Sequence, residues 1–358
     1  MFYFLIFLVA IHFSFLAEKH RHKNKFIVKL FLGLTIVLLA CVAGFRDITV
    51  GTDTADYPFY TFEGVKNTRT ISDALFSVTS SIEPLYVILA YSCRNWLGLE
   101  FNGFLFICHL IMYSGFWVGA YRMKITPLWA FSFLFLFLLY NTSVSMNRQY
   151  ISLGITFLAT SYLMEKRIYY FLILSVIAFF FHKTALFSLL LIPILYFDKR
   201  MYNWVAILIS CGVYVLFFFI IDYISGVDLF SKYETYANGQ YESFFSVSEF
   251  VIRIAFIASF LYLRKDRKDL LSFNVLTIFV CEFIVNLLQL KSRFAGRVAL
   301  SFFMMYLIYI PYYVLQAVKY RRFFMLSLSS LVIFYWWYVY IFRDAGETAN
   351  YSSSILGI

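Results

Sequence analysis

Charged residues are scarce in this chain. Lys, Arg, Asp and Glu make up 14% of its 358 residues, whereas hydrophobic residues make up 62%. A soluble globular domain carries about 25% charged and about 45–50% apolar residues. Apolar runs near the ~20 residues that cross a bilayer recur from end to end. The composition therefore excludes an ordinary soluble domain and predicts a polytopic α-helical membrane protein.

Several other signals are missing, and each absence removes a class of protein. The apolar runs are continuous instead of short and alternating, which argues against a transmembrane β-barrel. The five cysteines stand singly, without CxxC or Cys/His metal spacing, so we interpret them as small core residues. No internal repeat is evident, so nothing in the sequence supports an inverted-repeat transporter. The net charge of +10 sits mostly in short clusters between apolar runs, so we predict no nucleic-acid partner.

What the chain has instead is a series of apolar blocks, which predict about twelve transmembrane helices in one integral-membrane domain, residues 1–358. We place the blocks at 1–17, 26–44, 101–120, 127–145, 148–164, 167–182, 184–197, 202–222, 247–263, 269–290, 296–317 and 323–342. Basic residues at 19–25 follow the first block, which predicts an uncleaved first span whose N-terminus lies outside the cytoplasm.

The segment 83–98, "EPLYVILAYSCRNWLG", is a short apolar stretch that contains Arg94. We interpret it as a re-entrant or surface helix that does not cross the bilayer. With this assignment most Lys and Arg residues lie in cytoplasmic loops, as the positive-inside rule requires. Two long segments then lie on the outer side, 45–82 and 223–246, and long ordered loops are usually functional.

The same predicted topology places most polar side chains of interest on the outer side of the membrane that the chain spans. They come from the first outer loop and from the outer ends of several spans: Arg46, Asp47, Asp53, Asp56, Asn147, Arg148, Gln149, His182, Lys183, Arg293 and Arg297. Single residues have plainer interpretations, because Arg46 could end a helix, Arg148 could cap carbonyl groups and His182 could pack at the interface. Their shared side of the membrane nevertheless predicts one wet, charged site.

Ionisable residues within spans are costly and often mark function. Glu282, Asn286 and Gln289 fall on one helical face, which fits either a site or hydrogen bonding between helices. Glu249 and Arg253 are spaced for an i,i+4 ion pair, which is more often structural.

Several arginines with few acids at a bilayer surface suit an anionic ligand with a lipid tail. The guanidinium fork binds phosphate oxygens bidentately and stays charged when partly buried. A polyprenyl diphosphate is such a ligand, and cations that neutralise the departing diphosphate would accelerate glycosyl transfer without a metal or other cofactor. The accepting sugar hydroxyl needs a general base or an orienting acceptor, and the sequence does not rank Asp53, Asp56 and His182 for that role.

Four motifs in order resemble those of the EpsG family and of Wzy-type exopolysaccharide or O-antigen polymerases. They are "FRDITVGTDTADYPFY", the block from "NRQYISLGITF" to "FFHKTALFSLLL", "FSKYETY" and "GRVALSFFMMYLIYIP", and the likeness runs from about residue 26 to 315. Lys183 stands where a small polar residue is usual. Of the two arginines in "RFAGR", Arg297 fits the pattern better than Arg293.

The resemblance implies a GT-C-like glycosyltransferase in the bacterial inner (cytoplasmic) membrane, with its active site facing the periplasm or outside. Such enzymes join undecaprenyl-diphosphate-linked oligosaccharide units, which serve as both donor and acceptor, and a length-regulating protein is an expected partner. Whether the product is O-antigen, capsule or exopolysaccharide stays open.

The resemblance also implies roles for individual residues. The diphosphate would contact Arg148, His182 and Arg297, which must then share one cavity. The predicted catalytic residues are Asp53, Asp56, Arg148 and His182. The predicted substrate-binding residues are Arg46, Tyr57, Gln149, Tyr233, Arg293 and Arg297.

Other functions compete with polymerisation. A glycan ligase would use the same chemistry with another acceptor. A flippase or exporter of the lipid-linked unit should carry cations in both halves of the membrane, and the clustering on one face argues against it. A membrane O-acyltransferase would need a buried catalytic histidine, for which His109 is the candidate; otherwise we interpret His109 as a packing residue.

Overall fold

The computed structural model of the chain describes residues 2–78, 82–197, 199–224, 247–263, 270–287, 293–316 and 321–358. These residues form helices and irregular connections and contain no β-strand, which confirms the predicted all-α fold. The first helices are α1 (Phe2–His20), α2 (Lys25–Gly44), α3 (Tyr60–Gly64), α4 (Ile71–Ser77), α5 (Pro84–Tyr91), α6 (Phe101–Arg122), α7 (Leu128–Phe135) and α8 (Asn141–Ser145). The later helices are α9 (Asn147–Met164), α10 (Ile168–Phe181), α11 (Arg200–Ile224), α12 (Val247–Leu263), α13 (Leu270–Leu287), α14 (Arg293–Phe303), α15 (Tyr306–Gln316) and α16 (Arg321–Trp336).

Several apolar blocks are helical but irregular. A 3₁₀-helix forms at Lys183–Leu190. π-Helical turns replace α-helical turns at Ala55–Phe59, Ser92–Trp96, Leu136–Tyr140, Ile192–Tyr196 and Trp337–Phe342. Five segments of the described chain are long and apolar enough to cross a membrane: Phe2–His20, Lys25–Gly44, Phe101–Arg122, Leu128–Ser145 and Arg322–Phe342. These long apolar helices support a membrane protein. Each of the twelve predicted blocks contains helix, and the total of twelve spans stays a prediction.

The segment 83–98 forms one short helical stretch. It consists of the eight residues of α5 and the five residues of Ser92–Trp96. At about 1.5 Å per residue this stretch is roughly 20 Å long, which is shorter than the ~30 Å hydrocarbon core of a bilayer. The length supports the interpretation that the segment does not cross, and that interpretation stays a prediction.

The chain divides into two compact units. Unit 1 comprises Met1–Tyr162, Tyr169–Ala185 and Ser329–Ile358, and unit 2 comprises Leu163–Ile168 and Leu186–Leu328. In unit 1, α6 and α9 cross closely, since a Cβ built on Gly115 would lie 2.4 Å from the backbone of Gly154. Small residues at a helix crossing allow backbones to approach in this way.

The residues after α16 pack against the loop that follows α2, within unit 1. The backbone N–H groups of Gly51 and Thr52 donate to the carbonyl oxygens of Glu347 and Gly346, at 2.9 and 3.1 Å. The Asp47 carboxylate accepts from the Ser354 backbone N–H at 2.9 Å, which lowers the pKa of Asp47. We call residues 344–358 the C-terminal tail.

Unit 2 contains a buried ion pair between helices. Arg253 of α12 lies 2.6 Å from the Glu282 carboxylate of α13, and the Tyr306 hydroxyl of α15 donates to the same carboxylate at 3.3 Å. Glu282 and Asn286 are both buried, so the polar face of α13 does join helices, as one of its two interpretations predicted. The side chains of Glu249 and Gln289 lie outside the described residues, and with them the predicted Glu249–Arg253 pair.

Candidate functional site

The first predicted site segment, directly after α2, is organised around Arg46. Its side chain is fully buried, and among the described residues none of its hydrogen-bond partners is a carboxylate. The guanidinium points its five N–H groups at five acceptors: the carbonyl oxygens of Ala43, Val50 and Val144, the hydroxyl of Thr54 and Nε2 of His109. This geometry favours a positioning role for Arg46, and its predicted contact with substrate stays a prediction.

Gly51 allows the loop to fold around Arg46. Its φ of +96° lies in the left-handed region, and a Cβ there would lie 2.8 Å from Oγ1 of Thr54. The Thr54 hydroxyl donates to the Val50 carbonyl at 2.8 Å and accepts from Arg46 at 3.2 Å. The glycine of the motif "VGTDT" therefore has a conformational role, because it permits the turn that brings Thr54 to the guanidinium of Arg46.

Arg148 lies in the first turn of α9 because the helix restarts just before it. Met146 separates α8 from α9 with φ −93° and ψ 56°. Nη1 of Arg148 lies 2.5 Å from Oε2 of Glu83, and its guanidinium carbon lies 4.7 Å from the centroid of the Tyr57 ring. The side chain retains 12% exposure. An acid and an aromatic face thus stabilise a cation that is nearly buried.

His182 lies directly after α10 and is buried. Its Nδ1 accepts from the Thr184 backbone N–H at 3.3 Å and lies 2.7 Å from the Thr184 hydroxyl. A neutral imidazole with Nδ1 as acceptor carries its proton on Nε2. In this tautomer Nε2 is a hydrogen-bond donor. It can donate to a phosphate oxygen, whereas a general base would need an unprotonated nitrogen facing the sugar hydroxyl.

Glu83 connects these two positions, and the sequence analysis did not include it among the site residues. One carboxylate oxygen pairs with Arg148, and the other accepts from the Lys183 backbone N–H at 3.4 Å, next to His182. The side chain is 8% exposed. Glu83 could have been noticed in the sequence as an acidic residue near the predicted outer surface. Its partners could not, because Arg148 and Lys183 are 65 and 100 residues away in sequence.

The remaining predicted residues of unit 1 differ in exposure. Asp53 is half-buried and Asp56 is exposed, at the end of the Arg46 loop and in the short helix Ala55–Phe59 that follows it. Tyr57, in the same helix, reaches Arg148. Gln149 is buried in the first turn of α9. The structure thus brings Tyr57, Arg148 and the turn at His182 together, and it leaves the choice of general base open.

The other predicted residues belong to the second half of the chain. Arg297 is half-buried on α14 in unit 2. Arg293 begins that helix, but its side chain lies outside the described residues, as does all of Tyr233. A cavity shared by Arg148, His182 and Arg297 stays a prediction.

The comparison with protein families decides what kind of chain this is. The model of the EpsG family matches residues 29–353, which is nearly the whole chain. The chain belongs to the EpsG family. No curated protein and no solved structure matches it. Membership of the EpsG family supports a membrane protein of polysaccharide biosynthesis with a polymerase-like function. The matched region contains every predicted site residue and most of the C-terminal tail.

Proposed function

We propose that this EpsG-family protein is a polysaccharide polymerase of the cytoplasmic membrane. It joins undecaprenyl-diphosphate-linked repeat units by glycosyl transfer on the outer face, moving the growing chain from its lipid diphosphate onto a newly delivered unit. The observation that carries the proposal is the Arg148 site, where a nearly buried guanidinium lies under Tyr57 and beside the turn of His182.

In the proposed mechanism, Arg148 binds the donor diphosphate and neutralises the charge that develops as the glycosidic bond breaks. The Nε2–H group of His182 donates to a diphosphate oxygen. Asp53 or Asp56 accepts the proton of the attacking sugar hydroxyl, because both lie in the loop region that also supplies Tyr57.

Surface glycans of a deletion strain test this proposal. Complementation with Arg148→Ala or His182→Ala should leave single repeat units on the cell surface, with the variant still present in the membrane. Arg167→Ala is the matched control, because the Arg167 side chain is 59% exposed and pairs with nearby Glu165 at 3.6 Å. That control should give the full polymer ladder.

Two other outcomes would contradict the proposal. A strain without surface repeat units would indicate a flippase or exporter, and full-length polymer left unattached to its final acceptor would indicate a ligase. Full ladders from both site variants would remove Arg148 and His182 from the mechanism.

A further inference from the structure

Glu83 occupies the N-cap position of α5 without capping that helix. The residues that usually cap a helix start, Ser, Thr, Asp and Asn, accept from backbone N–H groups of the first turn. Glu83 makes no such bond, and Pro84 follows it at the first helical position. Its carboxylate is instead turned toward another part of unit 1.

There the carboxylate lies among donors that suit phosphate. Oε2 accepts from Arg148 at 2.5 Å, and Oε1 accepts from the Lys183 backbone N–H at 3.4 Å, at the start of the 3₁₀-helix Lys183–Leu190. Guanidinium forks and backbone N–H groups at helix starts are both common ligands of phosphate oxygens. The two carboxylate oxygens therefore occupy positions that two oxygens of a bound phosphate group would take.

An anion that binds Arg148 either lies beside the Glu83 carboxylate or displaces it. A second negative group beside the same guanidinium would be repelled by Glu83 at a distance of about 4 Å, in a poorly hydrated site. If the ligand displaces Glu83, Arg148 keeps a counter-ion throughout, which avoids the high cost of a buried unpaired charge. Displacement keeps Arg148 paired and avoids like charges in contact, and it requires the released Glu83 carboxylate to become hydrated.

We infer that Glu83 is the resident anion of the Arg148 site and that the lipid diphosphate of the proposed reaction displaces it. An attached carboxylate competes at a high effective concentration. A singly charged phosphodiester therefore competes poorly, whereas a diphosphate carries enough charge to replace the carboxylate. Glu83 thus keeps the weakly bound phosphodiester headgroups of the surrounding bilayer from filling the site, whereas the diphosphate still binds.

Binding of prenyl phosphates to the purified full-length protein tests this role. The protein is placed in phosphatidylcholine nanodiscs, and the affinities for farnesyl diphosphate and farnesyl monophosphate are measured with and without phosphatidylglycerol. Glu83→Gln should bind the diphosphate about tenfold more tightly than the wild type. Its gain for the monophosphate should be of similar size, because either ligand displaces the same carboxylate. Phosphatidylglycerol should weaken binding to Glu83→Gln but not to the wild type.

Two control variants separate the charge from other effects. Glu100 is also an N-cap glutamate without a side-chain cap bond, and it is exposed, so Glu100→Gln should behave as the wild type. Glu83→Asp keeps the charge and should bind the diphosphate with about the wild-type affinity. Thermal melting of each variant establishes that it is folded.

The outcomes distinguish this inference from the proposed function. If the wild type binds the diphosphate and a folded Glu83→Gln binds it with the same or weaker affinity, the inference is wrong and the proposed function stands. Competition by phosphatidylglycerol in the wild type would also overturn the inference, without any variant. If no form of the protein binds farnesyl diphosphate, the proposed function and the inference both fail.

Discussion

A lysine at position 46 would keep the charge of Arg46 but only three of its five N–H donors. The five acceptors around Arg46 come from the end of α2, the loop itself, α6 and α8, and the side chain is fully buried. Arg46 therefore acts as a hydrogen-bonding centre on which the loop folds. Its charge can be buried because carbonyl and hydroxyl dipoles replace the water around it.

We accordingly predict that Arg46→Lys destabilises the protein although the charge is conserved. At least two buried acceptors lose their donor, and each loss costs about 1–3 kcal/mol. The measurement is the melting temperature of the purified protein in detergent. Arg167→Lys, at a position that is 59% exposed, should melt as the wild type does. An unchanged melting temperature for Arg46→Lys would show that the hydrogen bonds of Arg46 contribute little.

At the level of elements, the crossing of α6 and α9 positions Arg148. Gly115 and Gly154 face each other there, and a Cβ on Gly154 would lie 2.5 Å from the Met112 carbonyl oxygen. Arg148 lies less than two turns before Gly154 on the same helix. A shift of α9 away from α6 would therefore move the guanidinium relative to Glu83.

Gly154→Ala should consequently reduce both stability and polymer formation. The added methyl group meets backbone atoms that cannot rotate away, and overpacking of this kind costs about 1–3 kcal/mol. The matched control is Gly33→Ala on α2, where a Cβ meets nothing within 4 Å. That change should be neutral or slightly stabilising, because alanine is the better helix former. Equal melting temperatures for the two variants would contradict the close crossing.

The ion pair in unit 2 shows the same dependence on neighbouring elements. Arg253 pairs with Glu282, which is 29 residues away in sequence and on another helix. Sequence spacing could identify Glu249 as a partner on the same helix, but it could not identify Glu282. The buried face of α13, in contrast, was readable from the spacing of Glu282 and Asn286, since helical periodicity fixes which residues share a face.

Over unit 1 as a whole, the C-terminal tail completes the region of the Arg46 loop. Thr348 is fully buried and accepts from the Asn141 amide at 2.9 Å, and Tyr351 donates to the Val42 carbonyl at 2.8 Å. The Ser353 hydroxyl donates to the Phe45 carbonyl. These bonds join the last residues of the chain to the end of α2 and to α8, so loop and tail form one structure.

Deletion of residues 344–358 should therefore destabilise unit 1 and abolish polymer formation. The deletion removes the acceptors of the Gly51 and Thr52 N–H groups and the partner of the Asn141 amide. Thermal melting and the surface-glycan ladder measure the effect. Ile355→Ser, at a side chain that is 56% exposed, should leave both unchanged. A truncated protein that melts and polymerises as the full chain does would show that the tail is dispensable.

Composition and motif order are enough to establish the class of this protein. Long apolar blocks with little charge can be buried only in a bilayer or in a helical core, so composition was sufficient to predict an all-α membrane protein. The ordered motifs were likewise sufficient to identify the EpsG family, because they depend on residue identity along the chain.

The contacts of each charged residue, in contrast, depend on how the helices pack. Arg46 and Arg148 looked equivalent in the sequence, yet one is satisfied by backbone and neutral side-chain acceptors and the other by the carboxylate of Glu83. Hydrogen bonds and ion pairs act over about 3 Å between atoms, whereas these partners are up to 98 residues apart in the chain. Only the packing of helices brings such groups together, and so it determines which cation is structural and which can meet a ligand.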